Sequence, residues 1–118
     1  MPVPAILRRR CQSLLATGEN IRYLIPADGM LFGNFLIAIT QRRIAVIAMQ
    51  PLHPDQPENV FASFPRITRL GPIDTSQHRP AIRLGEWLFE IAFEYLPVVA
   101  AVDAESADHL PEDPFPEL

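Results

Sequence analysis

The sequence contains no lysine, so all ten of its basic side chains are arginines. Without lysine, the chain has no P-loop lysine for phosphates, no Schiff-base lysine and no lysine general base. Cysteine is almost as scarce, and the single Cys11 has no partner for an intrachain disulfide. Because Cys11 falls among apolar helix positions, we expect a buried, inert thiol and not a nucleophile.

Long hydrophobic runs are also missing, although 48% of the residues are hydrophobic. No run reaches the roughly 18–20 residues of a membrane-spanning helix, so we expect no membrane span. The amino-terminal sequence places its arginines after a very short apolar piece, which is the reverse of a signal peptide. We therefore expect a cytoplasmic location and, from the length of 118 residues, a single domain.

Negative charge is concentrated at the carboxyl end of the chain. The net charge is −4, but six of the fourteen acids follow residue 102, so residues 1–102 carry ten positive and eight negative charges. We expect residues 108–118, which are acidic and rich in proline, to form a disordered tail or linker. Either this acidic tail is solvated, or it lies across the basic first half of its own chain or of a neighbouring chain.

Apolar spacing predicts a helix at each end of the domain. A first helix over residues 3–16 would place Leu7, Cys11 and Leu14 on one face, and Gly18 is a stop signal. A second helix is predicted from about Pro97 to Ala107, because proline is favourable in the first turn of a helix.

Between the helices, short runs rich in branched and aromatic residues predict β-strands. The predicted strands are residues 21–25, 35–40, 43–49, 60–64, 66–70, 81–84 and 86–94. Residues 26–29 are predicted as a turn, and the prolines of residues 50–58 predict an extended loop. Residues 86–94 also fit helical spacing. Pro97 favours the strand, because proline is unfavourable inside a helix and favourable at the start of one. The pattern predicts a mainly β (α+β) fold, a small antiparallel barrel or strongly bent sheet plugged by a helix.

The hairpin formed by residues 35–49 has a polar turn, Thr40-Gln41-Arg42-Arg43. Since this turn lacks glycine and asparagine, we expect a type I turn that the Thr40 hydroxyl initiates. The apolar residues on either side do not alternate cleanly with polar ones. Both faces of the hairpin are therefore expected to be covered, by helices or by a partner chain.

Two short motifs resemble those of a known family. The first is LLATGE at residues 14–19, before the first strand, and the second is IAITQRRI at residues 37–44. Together they resemble the bacterial pleckstrin-homology-like (PH-like) domains, relatives of GRAM domains, over about residues 12–107. The resemblance implies a barrel of about seven antiparallel strands capped by a C-terminal helix. With the N-terminal helix, this domain would span residues 1–107.

The resemblance also implies a non-catalytic binding scaffold, for phosphoinositides in some members and for proteins in many. In lipid-binding members the loop between the first two strands is basic, whereas here that loop, PADGMLFGN, has no basic residue. Arg42 and Arg43 are instead the candidate ligands for a phosphate or an anionic lipid headgroup, because guanidinium groups match phosphate oxygens. The alternative is a solvated hairpin tip. The candidate surface for a protein partner or for self-association consists of Phe35, Ile37, Ile44 and Val46.

Other clusters of polar residues do not predict chemistry. Asp74, Ser76 and His78 share one polar loop without the preorganised geometry of a catalytic triad, so we expect no enzymatic activity. Neither His53 with Asp55 nor the pair at residues 108–109 has a third ligand, so no metal or cofactor is expected. The net negative charge argues against nucleic acid as a partner, and the aromatic residues are expected in the barrel core. These aromatic residues are Phe61, Phe64, Trp87, Phe89 and Phe93.

Overall fold

The computed structural model describes residues 3–29, 33–76 and 78–108. Six strands lie between two helices, and the six strands form one antiparallel sheet in the order β4-β3-β2-β1-β6-β5, curled into a half-barrel. The elements are α1 (Ala5–Gln12), β1 (Ile21–Asp28), β2 (Asn34–Thr40), β3 (Arg43–Gln50), β4 (His53–Pro65), β5 (Ala81–Leu84), β6 (Trp87–Glu90), a 3-10 turn (Phe93–Tyr95) and α2 (Leu96–Asp108). Neither helix of the described residues is long and apolar enough to cross a membrane.

The hairpin of β2 and β3 is buried on both faces because the chain supplies a helix to each. Its inner face, including Ile37 and Val46, belongs to the main core, which Val99 and Val102 of α2 complete. Its outer face, including Leu36 and Ile47, packs under α1 in a second core. The expected two-sided cover of the hairpin is therefore provided by the chain itself.

Helix α1 is amphipathic, and its apolar side packs on the outer face of the sheet. Leu7 packs against this second core, and Cys11 is fully buried within it. Burial raises the pKa of the Cys11 thiol to about 11, so the thiol is protonated at neutral pH. The prediction of a buried cysteine on an apolar helix face is confirmed.

Several predicted boundaries were wrong. Residues 26–28 continue β1 instead of forming a turn, and residues 53–58 belong to β4 instead of a loop. The prolines of β4 are tolerated because it is an edge strand, where one side needs no N–H donors. Residues 66–70 are not a strand, so within the described residues the sheet has six strands, and the predicted count of about seven is not confirmed.

Residues 66–70 do not form a strand because their backbone finds partners elsewhere. The N–H of Thr68 closes a turn onto the carbonyl of Pro65, 3.0 Å away. The N–H groups of Leu70 and Gly71 donate to the carboxylate of Asp103 in α2, at 2.7 and 2.9 Å. The predicted second helix is confirmed, with α2 covering Leu96–Asp108 and Pro97 in its first turn.

The two-layer burial of the hairpin predicts different effects for neighbouring residues of α1. We expect Leu7→Ser to lower the free energy of unfolding by about 1–2 kcal/mol, because Leu7 packs on the second core. Ile6→Ser should change it by less than about 0.5 kcal/mol, since Ile6 is exposed. Urea unfolding followed by circular dichroism measures both. Equal losses in the two variants would contradict the packing of α1.

Candidate functional site

The turn between β2 and β3 is organised by the hydroxyl of Thr40. The Oγ1 atom accepts hydrogen bonds from the backbone N–H groups of Arg42 and Arg43, each at 3.1 Å. The same hydroxyl donates to Oε2 of Glu19 at 2.8 Å. The prediction that Thr40 initiates this turn is confirmed, and the turn is in addition connected to the segment before β1.

Glu19 is 2% exposed, and its carboxylate is surrounded by donors. Arg43 forms a two-point ion pair with it, from Nε to Oε2 at 2.8 Å and from Nη2 to Oε1 at 3.1 Å. The N–H of Ala16 donates to Oε1 at 3.1 Å. The hydrogen bonds from Arg43 are the largest cause of a pKa of Glu19 below its ordinary value, and they raise the pKa of Arg43. Glu19 is therefore ionised and fully paired at neutral pH.

Gln41 joins the same two segments through its side-chain amide. Its Nε2 donates to the carbonyl of Gly18 at 2.7 Å, and its Oε1 accepts from the N–H of Asn20 at 2.9 Å. Gly18 has a φ of +82°, a backbone conformation that residues other than glycine rarely adopt. Its position also faces the Arg42 guanidinium, which would lie 3.4 Å from an added Cβ. The positive φ therefore favours glycine at this position, whereas the Arg42 contact leaves ordinary space for a Cβ.

These contacts show that the two sequence motifs form one hydrogen-bonded unit. Gly18 and Glu19 of the first motif bind Thr40, Gln41 and Arg43 of the second. We call this unit the Glu19 lock. Its residues are Gly18, Glu19, Thr40, Gln41 and Arg43. The lock fastens the start of β1 to the turn between β2 and β3.

Arg42 and Arg43, the predicted pair of phosphate ligands, have different environments. The guanidinium of Arg43 is engaged by Glu19 and also donates to Ser63 Oγ at 3.3 Å. Arg42 is exposed, and among the described residues its side chain forms no ion pair or hydrogen bond. Of the two guanidinium groups, only that of Arg42 is therefore free of ion pairs and hydrogen bonds within the described residues.

The four hairpin residues predicted as an interaction surface lie in the main core. Their exposed fractions are between 0 and 4%. They are Phe35, Ile37, Ile44 and Val46. Because α1 covers the opposite face of this hairpin, a protein partner of the folded chain would need another surface.

A second polar network, which the sequence analysis missed, fastens α2 to the sheet. Glu105 accepts hydrogen bonds from Arg22 at 3.2 Å, from the Tyr23 hydroxyl at 3.1 Å and from Arg66 at 2.7 Å. Arg66 is buried and also donates to Ser106 Oγ at 2.8 Å, while its Nε has no partner among the described residues. Contact with Glu105 raises the pKa of the Tyr23 hydroxyl.

This network bears on the hypothesis of a tail lying across the first half of the chain. Asp103 and Glu105 are part of α2, and Glu105 does pair with Arg22. The acids beyond residue 108 lie outside the described residues. No local spacing pattern could have indicated these contacts, because Arg22 and Glu105 are 83 positions apart.

The aromatic residues form a surface at the open side of the half-barrel. Strand β4 is one edge of the sheet, and aromatic side chains connect it to the β5–β6 hairpin. Phe61 of β4 contacts the ring of Trp87 edge-on at 5.0 Å and the ring of Phe35 at 5.2 Å. Phe64 lies against Gly85, where an added Cβ would be 3.0 Å from its ring. We call this group, Phe61, Phe64 and Trp87, the aromatic seam.

The expectation that all five aromatic residues are core was only partly correct. Phe89 is fully buried, and Phe64 and Trp87 are half-buried against the core. Phe61 is 40% exposed and Phe93 is 66% exposed. Phe93 is exposed because the predicted strand over 86–94 ends at Glu90, so alternation no longer directs its side chain inward.

The remaining polar clusters form local turns and surface pairs. Asp74 accepts two hydrogen bonds from Ser76, which lower the pKa of Asp74, and His78 is exposed. Asp55 pairs with Arg10 at 3.4 Å instead of joining His53 in a site. Among the described residues, no three His, Cys, Asp or Glu side chains are placed to hold a metal ion.

Comparison with known proteins found no match to this chain among protein-family models, curated proteins or solved structures.

The Glu19 lock predicts unequal effects for the two neighbouring arginines. We expect Arg43→Ala to lower the free energy of unfolding by about 3 kcal/mol, because it leaves the buried Glu19 carboxylate without its charge partner. Arg42→Ala, the matched control, should change it by less than about 0.5 kcal/mol. Urea denaturation at pH 7 measures both. Similar effects of the two substitutions would show that Glu19 does not depend on Arg43.

The lock also predicts a dependence of stability on pH. Because the folded-state pKa of Glu19 is below its ordinary value, the ionised carboxylate stabilises the fold above the unfolded-state pKa of about 4.3. This contribution is lost as the pH falls through the folded-state pKa. We therefore expect Glu19→Gln to destabilise the protein at pH 7 and the difference from wild type to shrink in acid. Urea midpoints between pH 7 and pH 3 test this, and a constant difference would refute it.

Proposed function

We propose that this chain is a non-catalytic, PH-like binding module. It binds an extended, proline-containing segment of another protein at the aromatic seam. The observation that carries the proposal is the exposure of Phe61, 40% of whose surface faces solvent at the open side of the half-barrel. Its ring is held at a fixed angle by Phe35 and Trp87. A rigid, partly exposed aromatic group is a typical anchor of protein recognition.

The chemistry of β4 favours side-chain contacts over the addition of a strand. Pro54, Pro57 and Pro65 offer no N–H groups, and three irregularities interrupt its pairing with β3. Prolines and bulges are features that protect edge strands from pairing with other chains. A partner held mainly by ring contacts fits this edge better than a partner held by a backbone ladder.

A proline-containing segment suits such a surface. Proline-rich segments adopt a preformed extended helix without internal hydrogen bonds and dock in grooves lined by aromatic rings. Their binding does not require N–H donors from β4. The half-buried Trp87 of β6, beside Phe61, extends the aromatic surface from β4 to the β5–β6 hairpin.

Binding of a phosphate or an anionic lipid headgroup by Arg42 and Arg43 is the second candidate function. The exposed Arg42 favours it, since its guanidinium makes no ion pair among the described residues. Arg43 weakens it, because Glu19 engages the side of the guanidinium that a phosphate would need. A single solvated arginine provides little affinity, so we place this function below protein binding.

Trp87 is the only tryptophan of the chain, so its fluorescence reports on the seam directly. We expect a synthetic oligoproline peptide to change Trp87 emission in a saturable way, and an alanine-serine peptide of equal length not to do so. Phe61→Ala should weaken oligoproline binding about tenfold, because it removes the anchor ring. The matched control is Phe93→Ala, which removes an exposed ring outside the seam.

Equal peptide affinities for wild type and Phe61→Ala would exclude the seam as the binding surface. The absence of any saturable emission change with the oligoproline peptide would overturn the proposal of a proline-containing partner. Circular dichroism of both variants verifies that the fold is retained.

A further inference from the structure

The sheet is split between β1 and β6. These strands pair only through Asp28 and Glu90, so within the described residues the edge of β1 nearer Ile21 has no strand beside it on this side. The amino-terminal part of α1 and the start of α2 approach the split from its two sides. A cavity of about 200 Å³ remains between them.

Two arginines from different elements line this cavity. Arg8 projects from α1, and Arg22 lies at the irregularity of β1 between Ile21 and Tyr23. The rest of the wall consists of two tyrosines, Tyr23 and Tyr95, and three apolar side chains. These are Val3, Leu24 and Val98. The site thus combines two guanidinium groups with two tyrosines and an apolar wall.

Both guanidinium groups keep hydrogen-bonding capacity. Arg8 donates one long bond, 3.4 Å, to the carbonyl of Ile21, and Arg22 makes one 3.2 Å contact with Glu105. An arginine carries five N–H donors. Among the described residues these are the only bonds of the two side chains, so most of their donors are available to a ligand.

The local charge favours an anion. The carboxylate of Glu105 contacts Arg22 and Tyr23 of β1. It also pairs with the buried Arg66 at 2.7 Å. Two arginines, Arg22 and Arg66, therefore share this carboxylate. The excess positive charge lies on the side of Arg8, which has no carboxylate partner among the described residues.

We propose that the split between β1 and β6 binds a phosphate group, held between the guanidinium groups of Arg8 and Arg22. Guanidinium donors match phosphate oxygens in geometry as well as charge. A volume of about 200 Å³ equals about seven water molecules at roughly 30 Å³ each, which is enough for one phosphate group with a short carbon substituent against the apolar wall. The phosphate belongs either to a soluble phosphate compound or to a lipid headgroup.

Isothermal titration with inorganic phosphate tests the site directly. We expect Arg8→Ala and Arg22→Ala each to weaken phosphate binding about tenfold, the effect of losing one charge-assisted contact. Arg9→Ala is the matched control, since it removes the same charge from the next, exposed position of α1 and should stay within about twofold of wild type. Arg22→Lys keeps the charge beside Glu105 but loses the planar fork, so it should weaken binding without unfolding the protein.

Sedimentation with phosphatidylcholine vesicles, with and without phosphatidic acid, distinguishes the two sources. Binding of vesicles that contain phosphatidic acid, sensitive to Arg8→Ala and not to Arg9→Ala, supports the site with a lipid headgroup as the ligand. Binding of inorganic phosphate with the same sensitivity supports it with a soluble ligand. Equal losses in the Arg8 and Arg9 variants would indicate diffuse attraction, and no binding of either ligand by wild type would also overturn the proposal.

Discussion

The buried carboxylate of Glu19 holds together three segments that would otherwise separate at one end of the half-barrel. It accepts hydrogen bonds from the backbone after α1, from the Thr40 hydroxyl and from Nε and Nη2 of Arg43. A buried charge is strongly destabilising without such partners, so the loss of one donor would destabilise the contacts of the carboxylate with the others. The segment after α1, the start of β1 and the turn after β2 are therefore joined through this one group.

Because helices cover both faces of the sheet, the most apolar residues of the sequence do not form an exposed surface. The most apolar segment of the chain, the β2–β3 hairpin, has no free face because α1 and the main core cover its two sides. The exposed features lie instead where pairing of the sheet is incomplete. The aromatic seam joins the edge strand β4 to the β5–β6 hairpin, and the arginine-lined cavity lies beside β1 where its pairing with β6 ends.

Sequence analysis predicted those elements whose signal is local. Helix α2, the hairpin and the buried Cys11 follow from apolar spacing, from Pro97 and from the Thr40 turn, all within a few residues of one another. It failed where distant groups compete for the backbone. Residues 66–70 have strand composition, but their N–H groups bind Asp103 and a local turn, and the prolines of β4 are accommodated only because that strand is an edge.

The sequence by itself determined that this is a mainly β chain with a helix at each end and an arginine-bearing turn in its most apolar hairpin. Only the tertiary structure decided what that turn does. Glu19 and Arg43 are 24 positions apart, so no periodic pattern could show that the carboxylate occupies the guanidinium and leaves Arg42 alone in solvent. The same holds for Arg8 and Arg22, whose meeting depends on where α1 crosses the sheet and on where β1 loses its neighbour.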